Sequence, residues 1–197
     1  WAVDPRSALR LDWPSGFGVV HGLALEGQLL AWREGAGWEV GTAALHVDGG
    51  DYAADLRGGL WFQGDGTRPW IGIAAEIGDT PVPAAKKFWI HHQMPEAAVA
   101  WLDMALEGGT VTGGRGLVSG DLDDWPFLQH DGRFEATADI RDGYILFQRD
   151  WPALEAMQAQ VAFIGNGFQV QGQGSIAGLP VQHLQAGMAD FGAAPLQ

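Results

Sequence analysis

The chain has 197 residues, 11 Lys+Arg against 24 Asp+Glu, a net charge of −13 and no Cys. That balance repels nucleic acid and anionic membrane surfaces, and the missing thiols exclude disulfide frameworks and thiolate zinc sites. Hydrophobic residues still make up 47%, with 10 Trp and 9 Phe, so an apolar, aromatic-rich interior lies under an acidic skin, and any ligand of that interior is neutral or apolar where it touches.

Thirty Gly residues set between short apolar segments predict a mainly β chain with many turns. Strands are expected near 17–32, 37–48, 51–57, 59–65 and 69–77. The turn signals between them are Glu34-Gly35-Ala36-Gly37, Asp48-Gly49-Gly50, Arg57-Gly58-Gly59 and Gly64-Asp65-Gly66. Such spacing suits a meander in which sequence neighbours pair in space. Pro81 and Pro83 close this group. One amphipathic helix is predicted near 95–107: Pro95 suits its first turn, Glu96 its positive end, and Ala98, Trp101, Leu102, Ala105 and Leu106 form an apolar stripe before a Gly108-Gly109 stop.

A second β group runs from about 109 to 191. Phe134, Ala136, Ala138 and Ile140 alternate with Arg133, Glu135, Thr137, Asp139 and Arg141, the pattern of a half-buried strand. Asp142-Gly143 reads as a tight turn into a partner strand at Tyr144–Phe147. Val161 and Phe163, then Phe168 and Val170, flank a Gly165-Asn166-Gly167 hairpin turn. Gly174 and Ile176 continue through a Gly178-Leu179-Pro180 corner into 181–190. Residues 153–160 have helix-forming composition, and a short helix is expected there in competition with the following strand. The expected organisation is a first β-rich unit at 1–84, a linker plus helix at 85–108 and a second β-rich unit at 109–197, together one continuous segment. The tripeptide Asp-Trp-Pro recurs at 12–14, 124–126 and 150–152. Asp bonds its own backbone, Trp plugs apolar space and Pro stops a strand, so Trp13, Trp125 and Trp151 are read as structural corners.

Catalytic constellations are hard to assemble. His91 and His92 are adjacent, so on a strand they point to opposite faces, and His21, His46, His130 and His183 lack ligand spacing; turn or surface positions are expected for them. Asp121-Leu122-Asp123-Asp124 lacks the full calcium-loop pattern and reads as carboxylate turn capping. Ser7, Ser15, Ser119 and Ser175 sit in no nucleophile-elbow context, and Gly113-Gly114-Arg115-Gly116 precedes a strand without the Lys-Ser/Thr of a phosphate loop. No enzyme, metal or cofactor is predicted. Exposed Trp residues leave a carbohydrate-binding module as an alternative, with a purely structural envelope module beside it.

The run Trp101-Leu102-x-x-Ala105-Leu106, Gly108-Gly109, Gly120-Asp121-Leu122-x-x-Trp125-Pro126-Phe127, Gly132-x-Phe134, Trp151-Pro152 and Val161-x-Phe163-x-Gly165-Asn166-Gly167-Phe168 resembles the YhdP branch of the AsmA-like proteins of Gram-negative bacteria. The resemblance implies a long antiparallel sheet curled into a taco-like, groove-forming meander with an apolar concave face. It also implies a periplasmic, inner-membrane-anchored protein that takes part in moving phospholipids from the inner to the outer membrane. No apolar run here reaches spanning length, and a chain opening on Trp1 reads as a piece of something longer or a processed form, so the anchor is expected elsewhere. Partners would be phospholipid acyl chains and the rest of the envelope protein, with no nucleic acid. Phe134, Ala136, Ala138, Ile140, Val161, Phe163, Phe168, Val170 and Ile176 are the candidate groove residues. A closed sandwich core would need the same apolar face.

Overall fold

The computed structural model describes residues 2–3, 8–12, 19–88, 96–129 and 131–190. Trp13, Ser7, Ser15, His91, His92, Pro95 and His130 lie outside the described residues. Strands β1 (Ala2–Val3), β2 (Ala8–Asp12), β3 (Val20–Gln28), β4 (Leu30–Glu34), β5 (Gly37–Asp48), β6 (Ala53–Phe62), β7 (Trp70–Ile77) and β8 (Thr80–Pro81) come first. A 3-10 segment, Val82–Phe88, and helix α1 (Glu96–Ala105) follow, and then β9 (Leu106–Asp121), β10 (Arg133–Ile145), β11 (Leu154–Ile164), β12 (Gly167–Ile176) and β13 (Leu179–Met188).

All 13 strands of the described residues belong to one sheet, and every ladder is antiparallel; most join consecutive strands, while β1–β3, β3–β5 and β7–β9 each skip one short strand. Short strands complete longer rows: β1 and β2 both pair β3, β4 pairs β5 beyond the reach of β3, and β8 pairs β9 beyond β7. The sheet does not close, since β13 pairs only β12. It is a long curled meander, and no second sheet stands opposite it among the described residues, so the sandwich alternative falls. The exposed area agrees: 12418 Å² for the 21.1 kDa chain, against about 9,000 Å² for a compact monomer of that mass.

The core sits at one end of the sheet. Val82, Ile140, Leu154, Met157 and Ala159 form its buried cluster, with Leu106, Val111 and Ile145 packed against it. The 3-10 segment and α1 cap this end. The Ala105 carbonyl accepts from the Leu146 amide at 3.0 Å, and the Trp101 indole donates to the Phe147 carbonyl at 3.0 Å. Lys87 bonds Asp51 at 2.7 Å, which holds the Asp51 carboxyl below its ordinary range and ties the segment to the β5–β6 turn.

Several expected turns lie inside strands. Arg57-Gly58-Gly59 does not separate two strands; 51–57 and 59–65 merge into β6. Gly58 is needed there because its φ is +123° and a Cβ would run into the Gly72 carbonyl oxygen of β7. Gly58→Ala should therefore lower stability by at least about 2 kcal/mol, read as a fall in the denaturation midpoint at unchanged slope; an unchanged midpoint would rule out this close approach.

Gly108-Gly109 does not stop the helix. Leu106 already begins β9, and Gly109 packs against Gly143. Asp142-Gly143 is likewise no hairpin: Asp142 has φ 51° and the ladder shifts register there, so a bulge carries β10 on to Ile145 and Tyr144–Ile145 extend it. The expected helix at 153–160 is strand β11 from Leu154, because ladders on both sides override a local preference worth tenths of a kcal/mol per residue. Gly113-Gly114-Arg115-Gly116 sits within β9, with Gly113 at φ +60° as a bulge, and does not precede it. The hairpin turn at Gly165-Asn166 joins β11 to β12 as expected, and Ala177-Gly178 joins β12 to β13.

Candidate functional site

Cross-strand partners share a face of a sheet, so register sorts the side chains into rows. One row runs Gly27, Leu45, Leu56, Ala75, Gly116, Ala136, Phe163, Phe168 and Met188 across nine strands, β3 to β13. The next row, on the opposite face, runs His46, Asp55, Glu76, Arg115, Thr137, Ala162, Gln169 and Gly187. The first face carries no Asp, Glu, Lys or Arg on any register-paired position from β5 to β13; the second carries the charges and a Gln-rich patch.

All the sequence-predicted groove residues lie on the apolar face. Phe134 pairs Val118, Ala136 pairs Phe163, Ala138 pairs Val161, and Ile140 pairs Ala159. Val161 pairs Val170, Phe163 pairs Phe168, and Leu154 pairs Ile176. They do not have equal access. Ile140 is 9% exposed inside the capped core, so its substitution reads stability, whereas Phe163 at the other end is open. Between these ends the floor is made of small residues, Gly116, Ala136 and Ala138, and a Cβ built at Gly116 meets nothing within 4 Å. Ile71, Ile73 and Ile77 of β7 flank this floor on one side, Val161 and Phe163 of β11 on the other.

The face also takes in residues that the sequence reading left out: Leu45, Val47, Leu56, Leu60, Ile71, Ile73 and Ile77. Their signal was present as alternation in 53–62 and 70–77, broken in the first of these by reading Arg57-Gly58-Gly59 as a turn. The far end is plugged by the loop after β9. Phe127 is buried over Gly120 and Gly132, and the Trp125 ring meets Phe127 and Phe134 edge-on at 5.4 and 5.2 Å. Asp121 caps the short 3-10 turn Leu122–Asp124 by accepting the Asp123 amide at 3.0 Å, the turn-capping role read from the sequence. Desolvation, then repulsion from Asp131, Asp121 and Asp123, raises the Asp124 carboxyl. Trp125 is thus a plugged corner, but Trp151 is 63% exposed on a surface turn and fills nothing.

One histidine departs from the expected turn or surface position. His21 is buried, not at a turn or surface, and its Nδ1 lies 2.8 Å from the Tyr52 hydroxyl with the Phe88 ring beside it. His46 faces Asp55 at 2.9 Å on the charged face. Among the described residues no group of three His, Cys, Asp or Glu is placed to hold a metal ion. No described helix is long and apolar enough to cross a membrane. Two depressions, of about 480 and 380 Å³, lie on the charged face; the apolar shelf is the other side of the same open sheet.

A single open sheet with one continuous charge-free face and one charged face defines an amphipathic β-scaffold. A family profile described as YhdP protein matches residues 10–197, and the chain belongs to that family. Over 141 residues, 71% of its length, it is 28% identical to the intermembrane phospholipid transporter YhdP of Escherichia coli (strain K12). The chain spans 11% of that relative's length. No solved structure matches it.

Proposed function

We propose that this chain is a segment of a periplasmic, bridge-like lipid transfer protein, and that its apolar face shields phospholipid acyl chains on their way between inner and outer membranes. The observation that carries this reading is the charge-free face, unbroken across the sheet and open to solvent between its two capped ends. Its accessible part includes Phe134, Ala136, Ala138, Phe163 and Phe168 and extends on to β5–β7, while Val161, Val170 and Ile176 pack against the capped core at its edge. An acyl chain that lays eight methylenes on this face gains on the order of 6 kcal/mol. Head groups stay in water, no protein group changes covalently, and lipid moves by diffusion along the shelf. Residues 1–84 and 109–197 act as two β-rich units joined through 85–108, and the rest of the envelope protein supplies the membrane anchor and the remaining path.

Native mass spectrometry after gentle purification from a bacterial host tests this directly. The expected spectrum shows phospholipid masses bound to the chain, released by mild detergent. A lipid-free chain under conditions that preserve the fold would sink the proposal and leave a structural spacer.

A further inference from the structure

The charged face carries an organised feature of its own at β4–β7. Trp32, Glu39, Trp61 and Trp70 form one cross-strand row. The adjacent row on the same face is Leu30, Gly41, Gly59 and Gly72, so on three neighbouring strands the floor is bare backbone. Indoles lie over it: the Trp32 ring reaches within 3.3 Å of where a Gly41 Cβ would be, and the Trp70 ring within 2.8 Å of a Gly72 Cβ. These residues line a trough of about 380 Å³, within the size range of small-ligand sites. Trp32 and Trp70 are 39% and 41% exposed, although the floor needs only cover.

Two polar groups in the row have no partner among the described residues. The Trp61 indole N–H is buried without an acceptor, and Glu39 makes no hydrogen bond or ion pair among the described residues. The Trp61 nitrogen is closed off from the trough, so the polar group a ligand there reaches is the Glu39 carboxylate, which takes a donor. An acyl chain offers none. An ammonium group satisfies Glu39 alone, and an anion is repelled by it. A sugar hydroxyl donates to Glu39, and the C–H face of a pyranose ring matches an exposed indole in shape and polarity.

We propose that this trough binds an uncharged glycan, with pyranose rings stacked on Trp32 and Trp70 and a hydroxyl donated to the Glu39 carboxylate. The site lies on the face opposite the apolar shelf and does not rest on the lipid reading. Such a contact would hold the scaffold to glycan in the envelope while its other face stays free.

Isothermal titration of the 197-residue chain with chitotetraose and cellotetraose tests it. Saturable heat is expected from at least one glycan below about 10 mM, weakened about fivefold or more by Trp32→Ala and by Trp70→Ala. Glu39→Lys, a surface change that leaves the indoles in place, should weaken it about threefold. Circular dichroism confirms the fold of each variant. No saturation with either glycan, binding that survives the Trp32→Ala/Trp70→Ala double change, or saturation by choline chloride in their place overturns the proposal.

Discussion

Ala136→Glu should reduce phospholipid retained on the purified chain at least tenfold while leaving the fold intact. Ala136 sits mid-row on the small-residue floor, between Gly116 and Phe163. The substitution removes no large packed side chain, and the open space over Gly116 leaves the carboxylate reachable by water when no lipid is bound. An acyl chain crossing the same row would have to desolvate that carboxylate, which costs several kcal/mol, and about 1.4 kcal/mol already makes a tenfold change. Ala136→Leu keeps the row apolar and should retain lipid. Thr137→Glu places the same charge one residue along, on the charged face, and should also retain it. Quantitative lipid mass spectrometry on the three variants decides the matter: equal retention in Ala136→Glu, or equal loss in Thr137→Glu, would remove the apolar face from the function.

Leu154→Ala is expected to cost about 2–5 kcal/mol and to lower the melting midpoint by roughly 5–15 °C. Leu154 is 0% exposed, the largest fully buried side chain among the described residues, in a cluster with Val82, Ile140 and Met157. An open sheet has few such positions, so a cavity there removes a large share of what anchors the 3-10 cap to the strands. Leu179→Ala makes the same chemical change at a position 71% exposed and should stay within about 0.5 kcal/mol. A loss below about 1 kcal/mol at Leu154 would show that the cluster does not anchor the sheet.

Much of the apolar face was legible from alternation alone. Phe134, Ala136, Ala138 and Ile140 alternate with charged residues, and that period specifies which side chains share a face whatever the strand pairs with. Glycine was ambiguous. Gly58 and Gly143 read as turns, yet both lie inside strands: Gly58 has positive φ and abuts the Gly72 carbonyl, while at Gly143 a Cβ would meet Met157 and the positive φ of the bulge falls on Asp142. The Trp residues were ambiguous too: Trp125 plugs a corner, Trp151 stands in water, and Trp32, Trp61 and Trp70 share a row only because three ladders align them.

By itself the sequence determined a mainly β meander, an acidic exterior, one helix and an alternating apolar set, because period and turn chemistry are local properties of the chain. Only the tertiary structure decided that these strands form a single open layer, that Ile140 is capped while Ala136 is open, and that a tryptophan row faces away from the apolar shelf. The physical reason is register: a side chain's neighbours across a sheet come from partners far along the chain, and a one-residue slip would send every one of them to the other face.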